Sequence, residues 1–169
     1  MMRLYMNWGG ILGFALIAVS VVFYVLGMTE SKAVQWLSYA VLAAGIYLGS
    51  KARKDEQNGF LSYGEGLGAG TGVAFFASII IAFYTFIFFH FIDPAMVDQL
   101  ISRAELEMYD RGSSEQEIEM GMKYAKMFMT PHAMAIMVVL TYTFIGFIFS
   151  LITSAILRKD DPSFESNFK

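Results

Sequence analysis

Four stretches of the sequence contain no Asp, Glu, Lys or Arg, and each is long enough to cross a lipid bilayer as an α-helix. They hold 18 to 31 residues each and are rich in Ile, Leu, Val, Phe, Ala and Met. The charged residues that bound them are Arg3 and Glu30, Lys32 and Lys51, Glu65 and Asp93, and Lys126 and Arg158. This pattern predicts an all-α polytopic membrane protein, a single integral domain over 1–169 whose four transmembrane helices form an up-down bundle. The spans are predicted at about 7–27, 33–50, 67–91 and 133–157.

The composition excludes several classes of function. Hydrophobic residues make up 56% of the chain and charged residues 16%, against roughly 25% charged residues in a typical soluble domain. No stripe of Lys and Arg with interleaved aromatic residues is present, so nucleic acid is not predicted as a partner. The chain has no cysteine, which excludes a disulfide, a thiolate metal site and a cysteine nucleophile. The lipid bilayer is the one partner that the composition predicts.

The basic residues near the span ends predict the orientation of the chain. One side would hold the two termini and the short loop between the second and third spans, with most of the basic residues close to span ends: Arg3, Lys51, Arg53, Lys54, Arg158, Lys159 and Lys169. Because short loops rich in Lys and Arg stay in the cytoplasm, both termini are predicted to be cytoplasmic. The polar residues after 158 form a short cytoplasmic tail, 158–169, which is expected to be disordered.

The segment between the third and fourth spans is too long for a simple connection and has a helical pattern. Gly112 divides it, and Ser114 with Glu117 has the spacing of a capping box that opens the second part. We therefore predict a helical hairpin at about 94–130, outside the cytoplasm. From Asp93 to His132 it carries eight acidic and four basic residues, so it is expected to cap the bundle or to meet a partner rather than anionic headgroups. Apolar residues recur at spacings of three and four in both parts: Met96, Val97, Leu100, Ile101, Ala104 and Met108, then Ile118, Met122, Ala125 and Met129.

Small residues recur every four positions in the spans, which is the spacing that lets membrane helices approach closely. The predicted helix-packing positions are Gly9, Gly13, Gly45, Gly49, Gly64, Gly68, Gly72, Gly146, Ser150 and Ser154. The glycine run around Gly68 also invites comparison with a phosphate-binding loop, but no βαβ unit precedes it and no Lys follows it. The pattern supports contacts within one chain and equally allows a homo-oligomer.

The spans contain hydroxyl side chains but no acidic or basic residue that would mark a proton relay or a catalytic centre. A serine protease would need a His or Lys at the depth of its Ser. The sequence therefore predicts a non-enzymatic protein with no catalytic residue and no cofactor. One alternative is a small transporter or channel component whose path follows the Ser and Thr side chains of the third and fourth spans.

A further alternative is a metal site outside the cytoplasm. His90 and His132 are the only histidines, and both are predicted at the outer ends of their spans, close to Asp93. Two histidines and one carboxylate can bind a transition metal if the two spans pack side by side. Pairs of Met with a spacing of two precede His132, and thioethers favour Cu(I): Met120 with Met122, and Met127 with Met129. The competing interpretation is that the histidines are ordinary interfacial residues and the methionines fill apolar helix faces.

Several short motifs resemble those of a known family. Trp8-Gly9 enters the first span, Asn58-Gly59-Phe60-Leu61-Ser62-Tyr63-Gly64 precedes the third, Phe91-Ile92-Asp93-Pro94 opens the charged loop, and Met129-Thr130-Pro131 closes it. By these motifs the chain resembles, over its full length, the small four-span bacterial membrane proteins called domain of unknown function 4199. The resemblance implies the four-span fold and a place in the bacterial cytoplasmic (inner) membrane. It implies no activity and no site residue, because the family has no established function.

The leading hypothesis from the sequence is a non-enzymatic accessory or structural component that acts by packing against a partner. Its small-residue faces, uncharged spans and ordered external hairpin all favour a role in binding over a role in catalysis. A homo-oligomer or another membrane protein is the expected partner.

Overall fold

A computed structural model of the chain describes residues 2–28 and 31–159, and these residues form helices joined by short turns. Six α-helices and no strand are present in the described ranges. They are α1 (Met2–Val25), α2 (Lys32–Glu56), α3 (Tyr63–Ile87), α4 (Ala95–Asp110), α5 (Glu115–Phe128) and α6 (Pro131–Leu157). A π-helical turn at Phe88–Ile92 extends α3. The tail predicted to be disordered lies, from residue 160 onward, outside the described residues.

Four of these helices are long and apolar enough to cross a membrane: α1, α2, α3 with its π-helical turn, and α6. They overlap the four stretches predicted as spans, with ends that differ by up to six residues. The largest difference is in α2, which continues past the predicted end at residue 50 as far as Glu56. Arg53 therefore lies on a helix rather than in a loop, and its position on a helix face becomes important for the site described below.

The helix ends follow from local chemistry. The Ser31 hydroxyl accepts a hydrogen bond from the Ala33 N–H and caps the start of α2. After α2, Asn58 and Gly59 both have a positive φ, +55° and +86°, and the Gly59 N–H donates to the Lys54 carbonyl, which completes a left-handed helix ending. Gly112, which has a φ of +75°, follows α4 at the point where the sequence predicted that the first part of the hairpin would end.

The chain forms two compact units, the first from residues 1–81 and 139–169 and the second from residues 82–138. In the first unit the helices pack through small residues. Gly9 and Gly13 of α1 lie against α3, Gly45 of α2 lies against Leu12 of α1, and Gly146 of α6 lies against Ala74 of α3. The buried apolar side chains at these contacts are Leu12, Leu16, Leu42, Ile46 and Val73.

The second unit contains the end of α3, the π-helical turn, α4, α5 and the start of α6. Gly121 of α5 lies against the Met108 side chain, so the two helices contact each other closely. The predicted apolar positions of α4 are all partly buried, and Ile118 and Met122 of α5 are buried. The predicted capping box is confirmed, because the Ser114 hydroxyl and the Glu117 carboxylate each bond to the other residue's backbone.

Candidate functional site

The last two turns of α2, with the C-cap residue Gln57 that follows them, carry a largely buried polar face. Ser50, Arg53 and Gln57 are spaced by three and four residues, so they share one side of the helix. Ser50 is fully buried, and Arg53 is only 7% exposed. This side continues the face on which Leu42 and Ile46 pack. We call Ser50, Arg53 and Gln57 the α2 polar face.

Helix register places Ser154 of α6 at the level of the α2 polar face. The Ile46 side chain and the Ser150 hydroxyl both lie against Gly70 of α3. One turn further along each helix, Ser50 follows Ile46 and Ser154 follows Ser150, and a Cβ at Gly66 would lie 2.9 Å from Ser154 Oγ. Three helices thus bring small or hydroxyl-bearing residues to one level beneath Arg53.

Several buried polar atoms at this level have no protein partner among the described residues. They are Ser50 Oγ, Arg53 Nε, Gln57 Oε1 and Ser154 Oγ. The Arg53 guanidinium does bond to Glu56, with 3.3 Å between Nη1 and Oε2. The set mixes one N–H donor, one carbonyl acceptor and two hydroxyls that can do both, which is the mixture that ordered water molecules satisfy.

A hydrogen-bonded network closes the loop beside the α2 polar face. Glu65 accepts a hydrogen bond from Gln57 Nε2 at 2.6 Å, and it accepts two more from the Ser62 hydroxyl and backbone N–H at 2.7 and 3.1 Å. Ser62 and Glu65 therefore cap the start of α3 as Ser114 and Glu117 cap α5. Leu61 and Lys159 exchange two backbone hydrogen bonds of 2.9 Å, which fasten the loop to the residues that follow α6. This pairing places Lys159, the second residue of the tail predicted to be disordered, in an ordered contact.

The predicted helix-packing residues do not share one environment. Six of the glycines lie against a neighbouring helix: Gly9, Gly13, Gly45, Gly49, Gly72 and Gly146. Ser150 and Ser154 are fully buried, and the Ser150 hydroxyl donates to the Gly146 carbonyl at 2.6 Å. Gly64 and Gly68 differ from the rest, because a Cβ at either position would meet no atom within 4 Å. The small residues thus divide into a covered set and an open pair.

The structure brings two of the three predicted metal ligands together. The His90 and His132 rings lie 6.4 Å apart between centroids, and both pack on Phe86, at 5.3 and 4.8 Å. The Asp93 carboxylate instead accepts a hydrogen bond from the Met96 N–H at the start of α4. In the described part of the chain no three His, Cys, Asp or Glu side chains form a group that could hold a metal ion.

The two methionines of the first predicted pair, Met120 and Met122, point to different sides of α5. Met120 is exposed and Met122 is buried against α4, since residues two apart on a helix point to different sides. Met120 and Met122 also border an open groove of about 900 Å³, which Glu105 and Tyr109 of α4 line from the other side. The first Met pair therefore has one exposed and one buried side chain along the same groove.

Acid is expected to loosen the first turn of α5. The Ser114 backbone N–H, and then its hydroxyl, hold the pKa of Glu117 below its ordinary value of 4.5. A carboxylate with a lowered folded-state pKa stabilises the fold above the unfolded-state pKa, and this contribution is lost as pH falls through the folded-state value. NMR shifts of residues 114–118 are therefore expected to move toward coil values well below pH 4.5. A Glu117→Gln variant should show no such step, and an identical step in that variant would contradict the assignment.

The α2 polar face was not predicted from the sequence, which assigned Lys51, Arg53 and Lys54 together to an inner loop. A usable signal was present, because Ser50, Arg53 and Gln57 continue the spacing of Leu42 and Ile46 at three and four residues. The pattern is hard to recognise because charged residues usually mark the end of a membrane span.

The fold defines the class of protein. It is an all-helical chain with four membrane-compatible helices and, between the third and fourth of them along the chain, a helix pair with a capping box. The chain belongs to the family described as protein of unknown function DUF4199, whose model matches residues 7–159. The resemblance seen in the motifs is thus confirmed over most of the chain. No curated protein and no solved structure matches it.

Proposed function

We propose that this protein is a non-enzymatic, multi-pass component of the bacterial cytoplasmic membrane that acts by binding another membrane helix. In this proposal α1, α2, α3 and α6 span the bilayer, both termini are cytoplasmic, and α4 with α5 forms an extracytoplasmic hairpin. The lengths and apolar composition of the four helices support the spans. Four basic residues at the ends of α2 and α6 support the orientation: Arg53, Lys54, Arg158 and Lys159.

The observation that carries the proposal is the open glycine pair on α3. Gly64 and Gly68 are one turn apart and uncovered, although the other predicted glycines lie against neighbouring helices. Phe75 and Ile79 continue the same side of α3, and both are about two-fifths exposed, at 42% and 41%. We call these four residues the α3 outer face. In lipid, small residues four apart let a second helix approach closely enough for backbone and side-chain contacts to hold it.

Association through the α3 outer face is expected to fail when Gly68 is enlarged. A Gly68→Ile side chain would keep a partner helix at a distance, and a loss of 1–2 kcal/mol corresponds to roughly tenfold weaker association. The measurement is recovery of the crosslinked partner, a second copy or another protein, after mild crosslinking in native membranes. Gly10→Ile is the matched control, because Gly10 is also uncovered but has Met6 and Phe14 as its neighbours four residues away.

Two results would count against this function. Equal recovery from the wild type and Gly68→Ile would remove the α3 outer face from the proposal. Absence of any crosslinked species in the wild type would remove helix association altogether.

A small transporter or channel component is the second candidate function. Among the hydroxyls predicted to line its path, Ser78 donates to the Phe75 carbonyl at 2.7 Å and lies 3.3 Å from the Thr143 hydroxyl. What favours this candidate is the α2 polar face with Ser154, whose unpartnered atoms would suit a hydrated inner vestibule. Solute flux through proteoliposomes that falls in a Ser154→Leu variant would move the conclusion to this class.

A further inference from the structure

Helix α5 has a second apolar face in addition to the one that packs on α4. Ile118 and Met122 are 5% and 7% exposed, whereas Met120, Tyr124 and Met127 are 62%, 57% and 66% exposed. The spacing of these three residues, four and three, places them on one side of the helix. We call Met120, Tyr124 and Met127 the outer face of α5. Such large apolar side chains are unusual on a helix surrounded only by water.

Charges are segregated along α5. Its first half carries Glu115, Glu117 and Glu119, and its second half carries Lys123 and Lys126. The two lysines are exposed and lie beside Tyr124 and Met127. The segment from Asp93 to His132 has more acidic than basic residues, but the second half of α5 is basic and apolar.

The end of α5 is tied closely to the start of α6. Phe128 is the last residue of α5 and Pro131 the first of α6, so three peptide links separate their Cα atoms by at most about 11 Å. The connection has little slack, since Met129 N–H bonds to the Ala125 carbonyl at 2.8 Å and Ala133 N–H bonds to the Thr130 hydroxyl at 3.3 Å. If α6 spans the bilayer, its first residue lies at the membrane surface, where the headgroup region is roughly 5–8 Å thick on each side.

We propose that the second half of α5 docks on the bilayer, with Tyr124 and Met127 in the headgroup layer and Lys123 and Lys126 on the phosphates. An aromatic ring with a polar tip and lysines with long apolar stems are the side chains that suit this layer. The acidic first half of α5 turns away from the phosphates. The proposal rests on the membrane insertion of α6 that the proposed function includes, but not on association through α3.

The test measures depth in the membrane by spin labelling, which the cysteine-free chain makes direct. Single-cysteine variants Met127→Cys and Tyr124→Cys carry the nitroxide on the outer face of α5. Glu115→Cys is the matched control near the start of the same helix, about 18 Å from Met127 along the helix axis. Leu140→Cys, on an exposed position of α6, reports whether that helix is inserted. Each full-length variant is placed in vesicles of phosphatidylethanolamine and phosphatidylglycerol, and collisions with oxygen and with a water-soluble nickel complex are compared.

The expected result is that oxygen collisions exceed nickel collisions at Met127, Tyr124 and Leu140, with the reverse at Glu115. Nickel dominance at both Met127 and Tyr124, with Leu140 in lipid, would overturn the docking and leave the insertion of α6 intact. Labels at Met127 and Tyr124 shielded from both reagents would overturn it in favour of a protein partner or a second copy. Nickel dominance at Leu140 would instead refute the insertion of α6, and the docking with it.

Discussion

A Gly9→Leu variant is expected to melt well below the wild-type protein in detergent, whereas Gly10→Leu is expected to melt with it. A Cβ at Gly9 would lie 2.5 Å from Phe76 Cβ and 2.9 Å from the Val73 carbonyl oxygen, both on α3. The second of these atoms is backbone, so the helices themselves must separate to admit a side chain. Overpacking of this kind costs about 1–3 kcal/mol, which corresponds to a fall of roughly 5–10 °C in Tm.

Gly10 is the control that isolates contact from helix propensity. It is the next residue on the same helix, and a Cβ there would meet no atom within 4 Å. Leucine favours a helix over glycine by up to about 1 kcal/mol, so Gly10→Leu should be neutral or slightly stabilising. Thermal melts of the two purified variants, followed by circular dichroism, make the comparison. Equal Tm values for the two would mean that α1 and α3 do not approach closely at Gly9.

The four long apolar helices could be predicted from the sequence because lipid imposes a simple rule on a chain that crosses it. Backbone groups in hydrocarbon must bond within their own helix, so a long run without charged residues has almost no alternative to a spanning helix. The cap at Ser114 and Glu117 was equally readable, because its hydrogen bonds join residues three apart and need no tertiary structure. Local and solvent-imposed features were therefore the ones that the sequence determined.

Features that depend on the neighbouring helix were not readable. Gly9 and Gly68 each have a small residue four positions away, yet one is covered by α3 and the other is uncovered. The burial of Arg53 in the last turn of α2 was likewise not readable. The Asp93 carboxylate accepts a local bond from the Met96 N–H, and its role as a metal ligand stays a prediction.

A knob-and-hole exchange between α1 and α2 is expected to recover stability that each single change loses. Leu12 is 3% exposed, and the three atoms nearest to a Cβ at Gly45 all belong to the Leu12 side chain, at 2.5 to 3.0 Å. Because lipid is as apolar as leucine, Leu12→Ala should cost mainly the lost packing and the cavity, toward the lower end of about 2–5 kcal/mol. Gly45→Leu alone should overpack the same space by about 1–3 kcal/mol.

The double variant Leu12→Ala, Gly45→Leu moves the large side chain to the other helix and keeps the volume at the contact. Its loss of stability in detergent, measured from the Tm, should therefore be smaller than the sum of the two single losses, with a coupling of about 0.5–3 kcal/mol. Ile11→Ala is the control, because it shortens the branched side chain that precedes Leu12 in the sequence, and Ile11 is 60% exposed on the surface of α1. Strict additivity of the two changes would show that Leu12 does not fill the space above Gly45. A loss from Ile11→Ala as large as that from Leu12→Ala would show that burial by the other helix is not what holds α1 in place.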